Sequence, residues 1–143
     1  MDTNIKTTRI KVDVRIILSA LWAARMLSGL QGDVVRFMAP GILEEMIEGV
    51  TDVPVTNELL VVMSIIFMVP IIMSVLSLTL KEKVNRWANR SIGIFFAAFD
   101  LIFLILAIFV WQSPIYETLW SIVYLLFTAL VVWYAWKWPK QEA

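Results

Sequence analysis

Residues 91–111 read SIGIFFAAFDLIFLILAIFVW, a run of 21 in which Asp100 is the only charge. At about 1.5 Å of rise per residue, a helix of this length crosses the roughly 30 Å of a bilayer's hydrocarbon core. Lipid offers no partner for backbone N–H and C=O groups, so such a segment must close its hydrogen bonds internally as a helix. A charge near the middle of that helix costs roughly 2.5 to 3.5 kcal/mol on insertion scales. Asp100 therefore needs either a partner or a task.

Three further runs extend the pattern in both directions: residues 16–38, 59–80 and 118–136. The whole chain is 143 residues long, 60% hydrophobic and 17% charged, with a mean hydropathy of +0.80. These values indicate one all-α integral membrane domain over residues 1–143, built as a four-helix transmembrane bundle. The alternation expected of a membrane barrel is missing from the sequence.

Charge sets the orientation. Lys6, Arg9, Lys11, Arg15, Lys81, Lys83, Arg86, Arg90, Lys137 and Lys140 fall on one side of the alternating spans. Glu44, Glu45, Glu48, Asp52, Glu58 and Glu117 fall on the other, where Arg36 is the only nearby basic residue. The positive-inside rule then makes both termini and the connection 81–90 cytoplasmic, with the chain in the cell membrane. A bias this strong also argues against copies inserting in both orientations. Trp111, Tyr116 and Trp120 mark the outer interface, and Trp87, Trp133, Tyr134, Trp136 and Trp138 the inner one. Ser19 to Ala24 supply the small residues of a signal-peptide cleavage site, but Arg25 and the continuing apolar run suit a retained first span.

The chain contains no histidine and no cysteine. That removes disulfides, thiol redox chemistry, Cys/His metal sites and histidine acid–base catalysis. The sequence supplies no cofactor motif and no metal motif, and the absence of a clear catalytic set points away from an enzyme. The formal charges cancel, and the separated signs follow membrane topology, so nucleic acid is not an expected partner.

The second buried charge lies in the first span. At 100° per residue, Trp22, Arg25, Ser28, Gly29, Gly32, Asp33 and Arg36 share an arc of about 140°, with Ile16, Ala23, Leu27, Leu30 and Val34 opposite. Arg25 follows Arg15 by ten residues and Asp100 follows Arg90 by ten, about 15 Å of helix in each case. Equal depth makes an Arg25–Asp100 ion pair near the midplane feasible. Ser28 and Gly32 form a small-xxx-small pair that permits close helix approach. Asp33 and Arg36, three apart, either pair within their own helix or line an outward vestibule with Arg25. Arg25 could alternatively reach Asp33 through water, leaving Asp100 free as a proton carrier.

Pro70 lies at nearly the same depth in the second span, where it cannot donate to the Ile66 carbonyl and should kink the helix. Its seam is Met63, Phe67, Pro70, Ser74 and Ser77. The fourth span offers Glu117, Ser121, Tyr124 and Thr128. The expected midplane layer is thus Arg25, Pro70 with the Ile66 carbonyl, Asp100 and Thr128, with Tyr124 just above.

Residues 40–49 read as a short helix on the outer leaflet, its apolar face formed by Ile42, Leu43, Met46, Ile47 and Val50. Its carboxylates have no calcium-loop spacing. In the connection 81–90, Asn85 to Asn89 spell NRWAN. Arg86, Trp87 and Arg90 are the expected lipid-interface residues there, with the arginines meeting anionic headgroups.

NRWAN, together with Leu21-Trp22, Asp33-Val34, Pro40, Gly49, Pro70, Met73, Ser77, Gly93, Trp133, Trp136 and Trp138, resembles a family of small prokaryotic four-span membrane proteins known as a domain of unknown function. The resemblance covers nearly the whole chain and implies the four-helix architecture without an activity. Arg25 and Asp100 are not among the matching residues. A weaker, architectural similarity is to the DoxX-like four-helix membrane proteins, at the level of fold alone.

Three functions fit these residues. The first is a small transporter or channel, working as a homo-oligomer on a small solute or ion, with Arg25, Asp33, Arg36, Asp100, Tyr124 and Thr128 along the pathway. The second is a structural or accessory membrane protein that binds lipid or a protein partner, its ion pair serving helix register. The third is a membrane enzyme acting on a lipid or quinone-like substrate, with Asp33 or Asp100 as acid or base. A dry, mutually satisfied layer favours the second reading, and one open to water or solute favours the first.

Overall fold

A computed structural model describes residues 12–50 and 54–138. Its five helices are α1 (Val14–Phe37), α2 (Ile42–Glu48), α3 (Asn57–Thr79), α4 (Glu82–Phe109) and α5 (Ile115–Lys137). Among the described residues there is no strand. Lys6, Arg9, Lys11, Asp52 and Lys140, used above for orientation, lie outside the described residues.

The termini of these helices have local causes. Asp13 caps α1 by accepting from the Arg15 backbone N–H at 2.9 Å, and Thr56 caps α3 by accepting from that of Leu59 at 3.2 Å. Past α1, Pro40 disfavours helical backbone at Ala39 and ends the run. Gly41 and Gly49 bracket α2 with φ of 88° and 69°, a left-handed backbone that glycine adopts without steric cost. The α2 apolar face is uncovered: Leu43, Met46 and Ile47 are all exposed.

Two expectations change. Four spans were expected, whereas three helices, α3, α4 and α5, are long and apolar enough to cross a membrane by composition. The 24 residues of α1 suffice in length, but Arg25, Gln31, Asp33 and Arg36 dilute its hydropathy. The second change concerns the connection 81–90. Only Leu80 and Lys81 separate α3 from α4, and NRWAN forms the first turns of α4 instead of a loop. Its asparagines are turned inward and hydrogen-bonded, so the helix continues where a polar loop was anticipated.

Around the bundle, α1 packs between α3 and α5, while α4 leans on α5 and meets α3 only lightly. The buried core gathers Leu18 and Trp22 of α1, Met73 of α3, Ala88 and Phe96 of α4, and Val131 and Ala135 of α5. Close approach is built in at two glycines. A Cβ on Gly32 would clash with the Tyr124 hydroxyl and lie 3.2 Å from Trp120 Cγ; one on Gly93 would lie 3.2 Å from methyls of both Val131 and Val132. Pro70 is buried inside α3, which continues through it to Thr79.

Candidate functional site

The inward face of α1 carries Leu18, Trp22 and Arg25, spaced by four and three residues, so one stripe aims all of them into the bundle. The corresponding stripe of α4 is Asn85, Asn89, Gly93, Phe96 and Asp100. From α5 come Ser121, Thr128, Val131 and Ala135, and from α3 Pro70, Met73 and Ser77. Two polar layers result.

The deeper layer is the expected pair. Arg25 Nε donates to Asp100 Oδ2 at 3.1 Å and Nη2 to Oδ1 at 2.5 Å, a two-pronged contact that matches guanidinium to carboxylate. Thr128 Oγ1 lies 2.5 Å from Asp100 Oδ2 and 2.6 Å from the Tyr124 carbonyl oxygen, and its single proton can serve one of them at a time. Arg25 is 9% exposed and Asp100 4%. Beneath the guanidinium lies the Phe96 ring, its centroid 4.5 Å from Arg25 Cζ, so an aromatic face covers the cation where water would otherwise be needed. Charge, hydrogen bonds and aromatic cover together satisfy the groups that depth alone would penalise.

About three turns further toward the start of α4 is a second layer that the sequence reading missed. Trp22 Nε1 donates to Asn89 Oδ1 at 2.7 Å, and Ser77 Oγ donates to the same oxygen at 3.3 Å. Asn89 Nδ2 in turn donates to the carbonyl and side-chain oxygens of Asn85 at 3.0 and 2.7 Å. Asn85 Nδ2 closes the circuit on the Ser77 carbonyl at 2.7 Å. All four side chains are fully buried. The layer ties α1, α3 and α4 together, and Phe96, edge-on to Trp22 with centroids 5.8 Å apart, joins it to the layer above. The available signal was the i, i+4 pair of asparagines in NRWAN combined with Trp22 and Ser77 on inward seams.

The remaining expected residues are dispersed. Tyr124 sits above the ion pair and its hydroxyl donates to the Ser28 carbonyl at 3.4 Å. Pro70 is buried on α3 but takes no hydrogen bond in the layer. Asp33 and Arg36 do not form the expected intrahelical pair: Arg36 Nε instead meets Glu117 Oε1 of α5 at 3.5 Å. Arg36 and Glu117 face each other across two helices, which relieves Arg36 of its sequence neighbour, and Asp33 is exposed. The water-bridged Arg25–Asp33 alternative gives way to the direct Arg25–Asp100 contact. Arg90 donates from Nε to the Ala135 carbonyl at 2.9 Å and from Nη2 to that of Trp136 at 3.2 Å, serving the otherwise unpaired end of α5. Trp87 is largely exposed and Arg86 partly buried. Among the described residues, no three carboxylates converge as a metal site would require.

The match that decides the relationship is to a family model, "Family of unknown function (DUF6326)", over residues 5–143. The chain belongs to this family. No curated protein and no solved structure matches it. DUF6326 membership agrees with the resemblance read from NRWAN and its companion residues and brings no activity with it.

Proposed function

We propose that this DUF6326 protein is a four-span protein of the cell membrane, both termini cytoplasmic, whose Arg25–Asp100 pair is a structural bolt. Its function is then exercised at its surface, as an accessory protein binding lipid or a protein partner. The observation that carries this reading is the closure of the pair: two direct hydrogen bonds, a threonine on the same carboxylate, a phenyl ring under the cation and almost no exposure.

The fourth span in this reading is α1, despite its composition. It extends about 36 Å, and its apolar residues Ile16, Leu27, Leu30 and Val34 are the exposed ones while Trp22, Arg25 and Gly32 are buried. From Ile16 to Leu30 this helix keeps lipid-compatible groups outside and its charge neutralised inside, and its exposed polar residues Gln31, Asp33 and Arg36 fall in the last two turns, toward the interface. The exposed apolar face of α2 suits an outer-leaflet position. Catalysis by Asp100 on a lipid or quinone would need an open carboxylate, and both of its oxygens are already engaged.

Transport is the second reading, and one observation favours it. Arg25 spans the interior from α1 to α4, and the seam between α3 and α4 is thinly packed, so releasing the pair would free α4 along that seam. A labelling experiment separates the two readings, helped by a chain that is naturally free of cysteine. The structural reading predicts that Thr128→Cys in proteoliposomes resists a membrane-impermeant maleimide while Val12→Cys reacts. Rapid labelling at position 128, together with solute or ion flux abolished by Asp100→Asn, would establish the transport reading instead.

A further inference from the structure

The first turns of α4 carry a cationic pocket that the bolt does not use. Lys83, Arg86 and Arg90 fall at i, i+3 and i+7 on one helix face and, with Val84 and Trp87, line an open pocket of about 570 Å³. Like charges at this spacing repel each other, so the face is improved by a counter-ion. Among the described residues none of the three forms an ion pair, and Glu82, one turn before Arg86, is not engaged with it. Arg86 Nη1 is buried yet has no hydrogen-bond partner there, a cationic donor whose lost hydration is not replaced.

The pocket's other walls are specialised. Arg90 is held by the Ala135 and Trp136 carbonyls and stacks on Trp136 at 5.1 Å, which fixes its position beside the pocket. Trp87 is 71% exposed, an amphipathic ring of the kind that sits at headgroup level. Fixed positive charge, an unpartnered arginine donor and an interfacial indole match a phosphate carrying an apolar tail better than a phosphate in solution.

We propose that the Lys83–Arg86–Arg90 pocket binds the phosphate of an anionic membrane phospholipid, with the Trp87 ring beside the glycerol and acyl region. The assignment rests on the membrane reading above and deepens its lipid-binding arm. Arg86 supplies the donor that the protein leaves unpaired, Lys83 supplies mobile charge at the rim, and Arg90 is the fixed wall.

The test uses the full chain in detergent micelles, titrated with phosphatidylglycerol, phosphatidylcholine or inorganic phosphate, with bound lipid read by native mass spectrometry and thermal unfolding. Phosphatidylglycerol should bind at least tenfold tighter than phosphatidylcholine. Arg86→Gln and Lys83→Gln should each weaken it about fivefold, the effect of one interfacial charge. Lys137→Gln, on the same side but over the Trp133 ring, should leave it unchanged. Should Arg86→Gln fail to fold, Lys83→Gln at an exposed position decides the matter alone. Equal binding of the two lipids, an equal loss in Lys137→Gln, or equal protection by inorganic phosphate would each overturn the lipid assignment. Extraction of the chain from membranes by alkaline carbonate without detergent would instead overturn the membrane reading beneath it.

Discussion

The two halves of this bundle solve the same problem differently. In the half where α4 begins, polar groups are buried and completed by one another: Trp22, Ser77, Asn85 and Asn89 in one layer, Arg25, Asp100 and Thr128 in the next. In the opposite half the corresponding groups remain outside, with Asp33 exposed and Arg36 meeting Glu117 at 3.5 Å on a largely exposed side chain. Helix α3 shows the same division along its own length. Its buried residues are Pro70, Met73 and Ser77, and none precedes Pro70. Packing and polar satisfaction are therefore concentrated together, because a buried donor is tolerated only where neighbours are close enough to complete it.

The comparison can be broken at four places. The largest loss is expected from Arg25→Met or Asp100→Leu alone, each leaving a buried charge without its partner and lowering stability by ~3–5 kcal/mol in equilibrium unfolding from micelles. Next is Asn89→Leu, which leaves the Trp22 indole N–H and the Ser77 hydroxyl unsatisfied. Its cost is ~1–3 kcal/mol per abandoned group, and the unfolding midpoint should fall accordingly. Gly32→Ala forces α1 from Tyr124 and Trp120 in the looser half, for a loss of ~1–3 kcal/mol by the same measurement. Arg36→Gln should change stability by only ~0–1 kcal/mol, as Arg36 meets Glu117 from a half-exposed, screened position. A ranking with Arg36→Gln above Asn89→Leu would reverse the division between the halves.

Residue depth made much of this legible in advance. Equal offsets of ten from Arg15 and Arg90 brought Arg25 and Asp100 together, and Thr128, expected in the same layer, joined them. Depth along a helix survives folding because the rise per residue is nearly constant. Rotation and lateral neighbours are less constrained, which is why Pro70 is buried without a hydrogen bond in the layer, and why Arg36 chose Glu117 over Asp33. NRWAN misled for a different reason. Charged and amide residues between two apolar runs read as a solvated connection, and only the i, i+4 spacing of Asn85 and Asn89 points to their completing each other and Ser77 inside a helix. The count of spans is harder to read for a related cause: of the residues that lower the hydropathy of α1, Arg25 faces the interior and is neutralised by Asp100, while Gln31, Asp33 and Arg36 stay exposed near its end.

The central claim is that Arg25 and Asp100 act as one unit holding α1 to α4. A double-mutant cycle measures this directly, using Arg25→Met, Asp100→Leu and their combination, with unfolding free energies determined in the same micelles. Coupled residues predict that the double variant recovers most of what either single one loses, leaving an interaction energy of at least ~3 kcal/mol. Losses that simply add, with the double variant the least stable of the three, would contradict it.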